Sequence, residues 1–347
     1  MTSDLSAARA VETHVPGFHL GELIGRGGAS RVWAAERLVD GARLAVKVTS
    51  PGRLHVGQLM ELAAREIAVL DRVRHEHIIR LHEAHPLPDG SVAVVLDLAD
   101  GGDLDTLVRA RGRLPAGEVA TMCTPLAGAL AALHAAGVIH GDLSPRNVLF
   151  AADGRPLLGD FEAARLVGEG HPPLVAGTPG FLAPEVASGD IPTEASDIYG
   201  LGAIAWFAIT GRALTPTVGA PGTEVRAPDL AEATALVGRG FAAVVCAMLA
   251  ADPADRPRAD QAAVWCYGAA VPEPVGLVTP GSAVGLRGDL SRVDPDSALT
   301  QRLRESAGHS THSASPEPTS VRRRRTEHRA ARRTRLLGGI RAWPVLT

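Results

Sequence analysis

The change in residue pattern at Gly101-Gly102 constrains the fold of this chain more than any other feature. Before this pair, short apolar segments alternate with turn signals such as Asp40-Gly41 and Pro88-Asp89-Gly90, a pattern that predicts antiparallel strands. Residues 57–73 interrupt these segments with apolar residues at helical spacing. After the pair, Ala- and Leu-rich helical patterns dominate. The sequence therefore predicts an α+β chain with two lobes, a small five-stranded antiparallel β lobe with one helix and a larger, mainly α lobe.

Shifts in composition set the expected boundaries of the folded part. We expect residues 1–15 to form a disordered lead and residues 16–270 to form one folded domain, with its lobes at 16–99 and 100–270. From Val271 onward the chain turns to Pro, Gly, Ser and Thr, and it carries 13 arginines against 7 acidic residues. Residues 271–347 are therefore expected to be a disordered basic tail.

Charge and cysteine usage indicate few special partners. The net charge of −3 does not favour a nucleic-acid partner, and none is expected. The arginine-rich run 322–335 is compatible with weak contact to acidic membranes, although a solvated charge run is the favoured interpretation. Three widely spaced cysteines in apolar stretches predict buried free thiols. With no signal-like N-terminus and no long apolar run, we expect a cytoplasmic protein without a membrane span.

One lysine stands out against an arginine-rich background. Of the 35 basic residues in the chain, Lys47 is the single lysine, and it lies in the apolar strand-like segment RLAVKVT. An ammonium is a compact point charge that can sit between phosphate oxygens and a carboxylate, which a planar guanidinium does less well. The pattern therefore marks Lys47 as a functional residue.

A glycine-rich segment precedes this lysine. In residues 24–33, IGRGGASRVW, Gly25 and Gly27 allow the backbone to pass close over a phosphate, but alone the segment is equally compatible with an ordinary β-turn. Glu66, on the predicted helix, is the natural carboxylate partner of Lys47. The hairpin, the strand lysine and the helix glutamate, in this order and spacing, resemble the protein kinase family.

The second half of the chain continues the resemblance. In VIHGDLSPRNVLF, His140, Asp142 and Asn147 match the family's catalytic loop, and Asp160-Phe161 matches its metal-binding pair. Residues 177–185, GTPGFLAPE, resemble the end of the activation segment in its serine/threonine version. Asp197 matches a buried aspartate that braces the catalytic loop, and Arg256 matches an arginine that pairs with Glu185. The resemblance runs from about residue 18 to residue 270 and identifies a bacterial-type (eukaryotic-like) serine/threonine protein kinase.

The resemblance implies ATP and Mg²⁺ as cofactors, with Mn²⁺ as a possible substitute, and protein Ser/Thr hydroxyls as acceptors. It implies catalytic roles for Asp142, Arg146, Lys47, Glu66 and Thr178, and metal binding by Asn147 and Asp160. The residues expected to contact the nucleotide are Ile24, Gly25, Arg26, Gly27, Gly28, Val32, Ala45, Lys47, Leu96, Asp97, Ala99 and Leu149.

Three positions depart from the family pattern. Ser30 replaces the third loop glycine, Ser144 replaces a lysine that neutralises the transferred phosphoryl group, and Glu162 replaces the glycine after Asp160-Phe161. Tyrosine kinases also lack this lysine and place an arginine four residues after the catalytic aspartate, where this chain has Arg146. Our hypothesis is that Arg146 supplies the missing charge; the alternative is one more surface arginine.

A fourth departure, Gly141, concerns regulation. The family usually has an arginine here, which binds a phosphorylated activation loop. Residues 162–177 contain no Ser, Thr or Tyr, so they offer nothing to phosphorylate. We therefore predict a kinase that does not depend on activation-loop phosphorylation. Serines and threonines in the tail remain as possible autophosphorylation sites: Ser310, Thr311, Ser313 and Ser315.

Other protein classes share parts of this sequence pattern. A pseudokinase that acts as a nucleotide-binding protein or scaffold is the main alternative, and retention of Lys47 counts against it. Small-molecule phosphotransferases of the aminoglycoside type share the HGDL…N pattern but lack the GTPGFLAPE segment. A metal site is not favoured, because no cysteine or carboxylate cluster joins the four histidines that lie close in sequence, His75, His77, His82 and His85.

Overall fold

The computed structural model describes residues 13–52, 55–167, 177–214 and 230–278. All of them belong to the first of two compact units of the chain, Met1–Leu290 and Ser291–Thr347. The predictions for the tail from residue 279 onward, including the 322–335 run and the tail serines and threonines, lie outside the described residues. The same holds for residues 1–12 of the lead and for residues 168–176 of the activation segment.

Five antiparallel strands form the small lobe, in the spatial order β1-β2-β3-β5-β4. Their bounds are Phe18–Arg26 (β1), Ser30–Arg37 (β2), Arg43–Thr49 (β3), Leu81–Pro86 (β4) and Val92–Asp97 (β5). Successive side chains of a strand point to opposite faces of the sheet. Leu44, Val46 and Val48 of β3 pack in the small-lobe core, so Ala45 and Lys47 face the other side. The predicted five-stranded sheet is confirmed.

A single helix accompanies this sheet, as predicted. Helix α1 spans Val56–Leu70 and begins with a capping box, in which Gln58 N–H donates to His55 Nδ1 and His55 N–H donates to Gln58 Oε1. Leu59, Ala63 and Leu70 are buried at helical spacing. Glu66 shares this face, which turns its carboxylate toward the interior rather than toward solvent.

The large lobe is mainly helical. Its helices are Leu104–Arg111 (α2), Ala116–Ala135 (α3), Pro184–Ala187 (α4), Glu194–Thr210 (α5), Leu230–Val237 (α6), Arg239–Met248 (α7) and Ala259–Ala269 (α8). Two short antiparallel strand pairs carry the loops of the site: Val138–Ile139 (β6) with Arg165–Leu166 (β9), and Val148–Phe150 (β7) with Pro156–Leu158 (β8). The two-lobed α+β protein-kinase fold predicted from the sequence is confirmed.

Helix α3 is the central helix of the large-lobe core. By length and composition it is apolar enough to cross a membrane, but most of it is buried inside the domain. Leu126, Leu130 and Leu133 are fully buried at helical spacing, and the helix packs against α5 and α8. Burial among protein helices accounts for this hydrophobicity.

The packed chain begins before residue 16 and continues past residue 270. Val15, which the sequence placed in the lead, is fully buried in the small-lobe core, and its carbonyl accepts a hydrogen bond from Phe18 N–H at 3.2 Å. At the other end, residues 271–278, which we call the C-terminal strap, lie against the large lobe. Val275 of the strap is buried.

Backbone contacts and closely approaching glycines fix the C-terminal strap. Glu273 N–H donates to Gly117 O at 3.2 Å, and Arg111 Nη1 donates to Gly276 O at 2.8 Å. A Cβ on Gly117 would lie 2.6 Å from Glu273 Cγ, and one on Gly101 would lie 2.9 Å from Leu277 Cδ1. The strap therefore runs from the start of α3 to the linker between the lobes, along a path that glycines keep open.

Candidate active site

Lys47 lies at the centre of the cleft-facing side of the sheet. Its Nζ is 2.6 Å from Glu162 Oε1 and 3.1 Å from Asp160 Oδ1. Burial lowers the pKa of Lys47, but the carboxylates of Asp160, Glu162 and Glu66 outweigh burial and raise the pKa above its ordinary value. Lys47 therefore stays a cation.

Glu66 is near this lysine but takes a different partner. Among the described residues, the ion pairs of Lys47 are with Asp160 and Glu162, and Glu66 Oε1 instead accepts a hydrogen bond from Phe161 N–H at 3.4 Å. Burial raises the pKa of Glu66 to about 7, against the opposing effect of Lys47. The structure thus replaces the expected Lys47–Glu66 pair with a Lys47–Glu162 pair, because Glu162 reaches the ammonium from the exposed side.

Asp142 is held by the activation segment. Both the N–H and the hydroxyl of Thr178 donate to Asp142 Oδ1, at 3.1 and 3.0 Å. Burial raises the pKa of Asp142, while His140 and the Thr178 hydrogen bonds lower it. A carboxylate of raised pKa is a better proton acceptor than an ordinary aspartate.

Asn147 is oriented by the loop that carries Asp142. The side-chain Nδ2 of Asn147 donates to the backbone carbonyl of Asp142 at 2.7 Å. The backbone carbonyl of Asn147 accepts a hydrogen bond from Gly159 N–H at 2.9 Å. The amide nitrogen is therefore occupied, which leaves Oδ1 as the group that can bind a cation. Through Gly159, the loop is also tied directly to the residue before Asp160.

Asp197 braces the same loop from below. Its carboxylate accepts hydrogen bonds from His140 N–H and Gly141 N–H, each at 2.9 Å, and it lies 2.9 Å from His134 Nε2. Asp197 and His134 are both buried, so the carboxylate sits in a low-dielectric site where its hydrogen bonds are strong. The sequence predicted the brace but not the contribution of His134.

Two residues of the site adopt left-handed backbone conformations. Asp160, with φ 59°, is the one non-glycine residue with positive φ in the described ranges. Such conformations cost free energy and are retained where function requires them. Gly141 has φ 80°, and a Cβ there would lie 3.0 Å from Ala163 O, so a side chain at this position would be both strained and crowded.

The glycine-rich hairpin closes over the cleft side of the sheet. Gly27 N–H donates to Ser30 O at 2.7 Å, and a Cβ on Gly27 would lie 2.8 Å from Ser30 Oγ. Gly25 pairs with Val32 in the register of β1 and β2, and Arg26 and Gly28 are exposed at the tip. The hydroxyl of Ser30 therefore points into the space that the third loop glycine would leave open.

The other residues expected to contact the nucleotide line the face beneath the hairpin. Val32 lies opposite Lys47, and Ala45 lies opposite Leu96, in the sheet register. Leu149 lies below, where a Cβ on Gly159 would approach its Cδ1 to 3.0 Å. Ile24 is 47% exposed, so an apolar side chain is available to cover a bound base.

The linker offers fewer backbone groups than the sequence suggested. The N–H of Asp97 donates to Arg80 O at 3.0 Å, and its carboxylate binds Arg80 N–H and His82 Nε2. The other backbone groups of residues 97–99, including those of Ala99, therefore remain as the candidates for hydrogen bonds to a nucleotide base.

Arg146 contacts the start of α2. Its side chain is 56% exposed, and its Nε lies 3.6 Å from Asp105 Oδ2, which also pairs with Arg109 at 2.9 Å. The side chain therefore leans toward α2 rather than standing as an isolated surface arginine. More than half of the side chain is exposed, so it has room to change rotamer.

Glu185 and Arg256 form the pair predicted from the sequence. Arg256 Nη1 and Nη2 donate to the two Glu185 oxygens at 2.6 and 2.8 Å, in a bidentate arrangement. The Arg256 side chain is fully buried, and its remaining donors bind the carbonyls of Ala195, Ala250 and Ala251. This pair fixes the end of the activation segment to the helical lobe.

The histidines near α1 have separate partners. His77 Nδ1 is 2.7 Å from Pro156 O, and His82 Nε2 is 2.7 Å from Asp97. His85 Nε2 lies 3.1 Å from Glu83 Oε2 but makes no hydrogen bond among the described residues. These contacts are structural and point in different directions. Cys123 and Cys266 are buried, as predicted, and burial raises the pKa of both thiols, whereas Cys246 is only partly buried.

The site joins the two lobes: the β lobe contributes Lys47, and the helical lobe presents the Asp142 carboxylate, the Asn147 amide and the bracing Asp197. A family model for the protein kinase domain matches residues 18–266. The chain therefore belongs to the protein kinase family. This confirms the resemblance found in the sequence.

Several kinases resemble the chain. It is 38% identical over 200 residues to serine/threonine-protein kinase PknK of Mycobacterium tuberculosis, covering 57% of this chain and 18% of that protein. It is 38% identical over 212 residues to serine/threonine-protein kinase PkaA of Streptomyces coelicolor, covering 56% and 38%. It is 32% identical over 197 residues to CBL-interacting serine/threonine-protein kinase 24 of Arabidopsis thaliana, covering 56% and 44%. The matched part is less than half of each relative.

Proposed function

We propose that the chain is an ATP- and Mg²⁺-dependent protein kinase that transfers the γ-phosphoryl group to Ser and Thr hydroxyls of proteins. The observation that carries this proposal is the pairing of Asp142 with Thr178, whose N–H and hydroxyl hold one carboxylate oxygen. The arrangement aims the other oxygen at a substrate hydroxyl. The names of PknK and PkaA, both serine/threonine-protein kinases, support the choice of acceptor.

The residues present are suited to a nucleotide with a divalent cation. Asn147 Oδ1 and the Asp160 carboxylate are hard oxygen donors, which Mg²⁺ prefers, and Mn²⁺ accepts the same ligands. When bound, ATP supplies the phosphoryl group and the cation offsets its negative charge. Lys47 binds phosphate oxygens from the β lobe, and the hairpin 24–33 covers them.

Side chains of the protein accept the proton of the substrate hydroxyl and hold the reacting groups in place. Asp142 accepts the proton of the substrate hydroxyl, and Thr178 keeps its carboxylate turned toward that hydroxyl. Asp197 and His134 hold the loop that presents Asp142 and Asn147 at fixed positions, which removes reorganisation from the reaction. Glu185 and Arg256 hold the segment that carries Thr178.

Incubation of the full chain with γ-labelled ATP, Mg²⁺ and a general Ser/Thr acceptor protein tests this function. We expect label on phosphoserine or phosphothreonine, and loss of labelling when EDTA removes the cation. Labelled phosphotyrosine would contradict the predicted acceptor. If neither the chain nor the acceptor gains label, although the protein binds ADP, the scaffold interpretation is the correct one.

Independence from activation-loop phosphorylation is a further part of this proposal. It rests on the lack of Ser, Thr and Tyr in 162–177 and on the left-handed Gly141, which an arginine could adopt only with strain. Phosphatase-treated protein is therefore expected to start transfer at the same rate as untreated protein. A lag that ends as the protein labels itself would contradict this part.

Arg146 supplies the positive charge that Ser144 does not. The motivating observation is its position on the catalytic loop, with an exposed side chain whose ion pair in the described ranges is a long 3.6 Å contact to Asp105. We expect Arg146→Ala to lower kcat by about 10²-fold, the effect of removing one charge-stabilising donor, with a smaller change in KM for ATP. Arg109→Ala, which removes the other partner of Asp105, is the matched control. Full activity of Arg146→Ala would show that Arg146 is a surface residue only.

A further inference from the structure

The carboxylate closest to Lys47 belongs to a residue that the family pattern does not contain. Glu162 Oε1 is 2.6 Å from Lys47 Nζ, closer than Asp160 Oδ1 at 3.1 Å. Kinases usually have a glycine at this position, which has no side chain to offer. The expected partner, Glu66, binds the Phe161 backbone instead.

The two ends of this ion pair differ in their surroundings. The Lys47 side chain is 15% exposed, whereas the Glu162 side chain is 57% exposed. Glu162 therefore approaches the lysine from the solvent side of the cleft. It can leave Lys47 without opening the core, at the small free-energy cost typical of partly exposed ion pairs.

We propose that Glu162 is a positioning residue that competes with nucleotide phosphates for Lys47 and thereby makes nucleotide binding depend strongly on a divalent cation. This role rests on the nucleotide site proposed above. A phosphate group that binds Lys47 has to displace the Glu162 carboxylate, which then remains nearby as a like charge.

Charge balance gives the dependence on the cation. One ammonium, that of Lys47, faces the carboxylates of Asp160 and Glu162 directly and that of Glu66 at longer range. A nucleotide adds several negative charges to a site that already has an excess of them, which costs Coulomb energy. A divalent cation offsets that cost. Removing the carboxylate of Glu162 removes part of the cost and so part of the need for the cation.

Equilibrium binding of ADP to the full chain, with Mg²⁺ and with EDTA, tests the inference. We expect Glu162→Gln to tighten metal-free ADP binding by about fivefold, the size of one partly exposed ion pair, and to change binding with Mg²⁺ less. Glu61→Gln, an exposed glutamate on α1, makes the same charge change away from Lys47 and is expected to leave both constants unchanged.

The single lysine provides a second, independent measurement. An amine-reactive ester can modify only Lys47 and the N-terminal amine, because the chain has no other lysine. Released from Glu162, the amine of Lys47 is expected to react faster in Glu162→Gln than in the wild type, with the N-terminal amine as internal reference. ADP is expected to protect Lys47 in both proteins.

The outcomes separate this inference from the proposed function. If wild type binds ADP but Glu162→Gln shows the same metal-free constant and the same Lys47 labelling rate, the role of Glu162 is wrong and the nucleotide site stands. If wild type binds no ADP even with Mg²⁺, the proposed function fails and the role of Glu162 fails with it.

Discussion

Asp142→Asn is expected to lower the rate of phosphoryl transfer by about 10²–10⁴-fold, the contribution of a positioned general base. The reason lies in the two oxygens of the carboxylate. Oδ1 accepts both hydrogen bonds from Thr178, and an asparagine Oδ1 can accept the same two bonds. The side chain thus keeps its orientation, but an amide cannot take the proton of the substrate hydroxyl.

The measurement is kcat with a general acceptor protein, together with the dissociation constant of ADP. ADP binding is expected to be unchanged, because Asp142 faces the acceptor rather than the nucleotide. Asp153→Asn, an exposed aspartate on the turn between β7 and β8, is the control and should behave as wild type. Undiminished transfer by Asp142→Asn would mean that another group accepts the proton.

The pH dependence of wild type adds a check on the same residue. Burial raises the pKa of Asp142, although His140 and Thr178 lower it in part. The base is lost when its carboxylate is protonated, so kcat is expected to fall on the acid side at a higher pH than an ordinary aspartate would give. Phosphorylation rates measured across a range of acidic pH values give the pH at which kcat falls.

Much of the site could be predicted because its residues act through neighbours fixed by the fold. Asp142 and Asn147 share one loop, and Glu185 meets Arg256 through a buried bidentate pair that few other arrangements could satisfy. The alternation of side chains along β3 puts Lys47 on the face opposite the small-lobe core. The spacing of motifs therefore predicts which side chains meet wherever the backbone fold alone determines the contact.

The partner of Lys47 was not predictable in the same way. Glu66 and Glu162 are both carboxylates within reach of one ammonium, and the choice depends on their burial. Glu66 loses solvation inside the small lobe, which raises its pKa to about 7, whereas Glu162 stays half in water. The signal was present, since a glutamate beside Asp160-Phe161 breaks the family pattern, but its consequence depended on side-chain geometry.

The ends of the domain show a second limit of sequence patterns. Residues 271–278 are rich in Pro, Val and Gly and carry no helical or strand period, so their composition indicates a tail. Their packing comes from distant residues: Arg111 binds Gly276 O, and glycines at 101 and 117 make room for Leu277 and Glu273. The composition of residues 271–278 cannot reveal these contacts, because the residues that make them are distant in the sequence.

Glu185→Gln is expected to lower the free energy of unfolding by about 3–5 kcal/mol, because it leaves a buried cation without its counter-charge. The Arg256 guanidinium is fully buried, and Glu185 is its bidentate partner. Urea unfolding of the full chain measures the change. Asp260→Ala, which breaks the exposed Arg258–Asp260 pair, is the matched control and is expected to cost no more than about 1 kcal/mol.

A second substitution shows whether the loss comes from the uncompensated charge or from missing packing. Arg256→Met combined with Glu185→Gln removes both charges and keeps an apolar chain of similar length in the buried site. If the cost of Glu185→Gln is that of a buried, unpaired cation, the double variant is expected to be more stable than Glu185→Gln alone. The carbonyls of Ala195, Ala250 and Ala251 would lose their donors, so recovery should be partial. Additive losses in the double variant would instead assign the stabilisation to packing and hydrogen bonds, with no special cost of the charge.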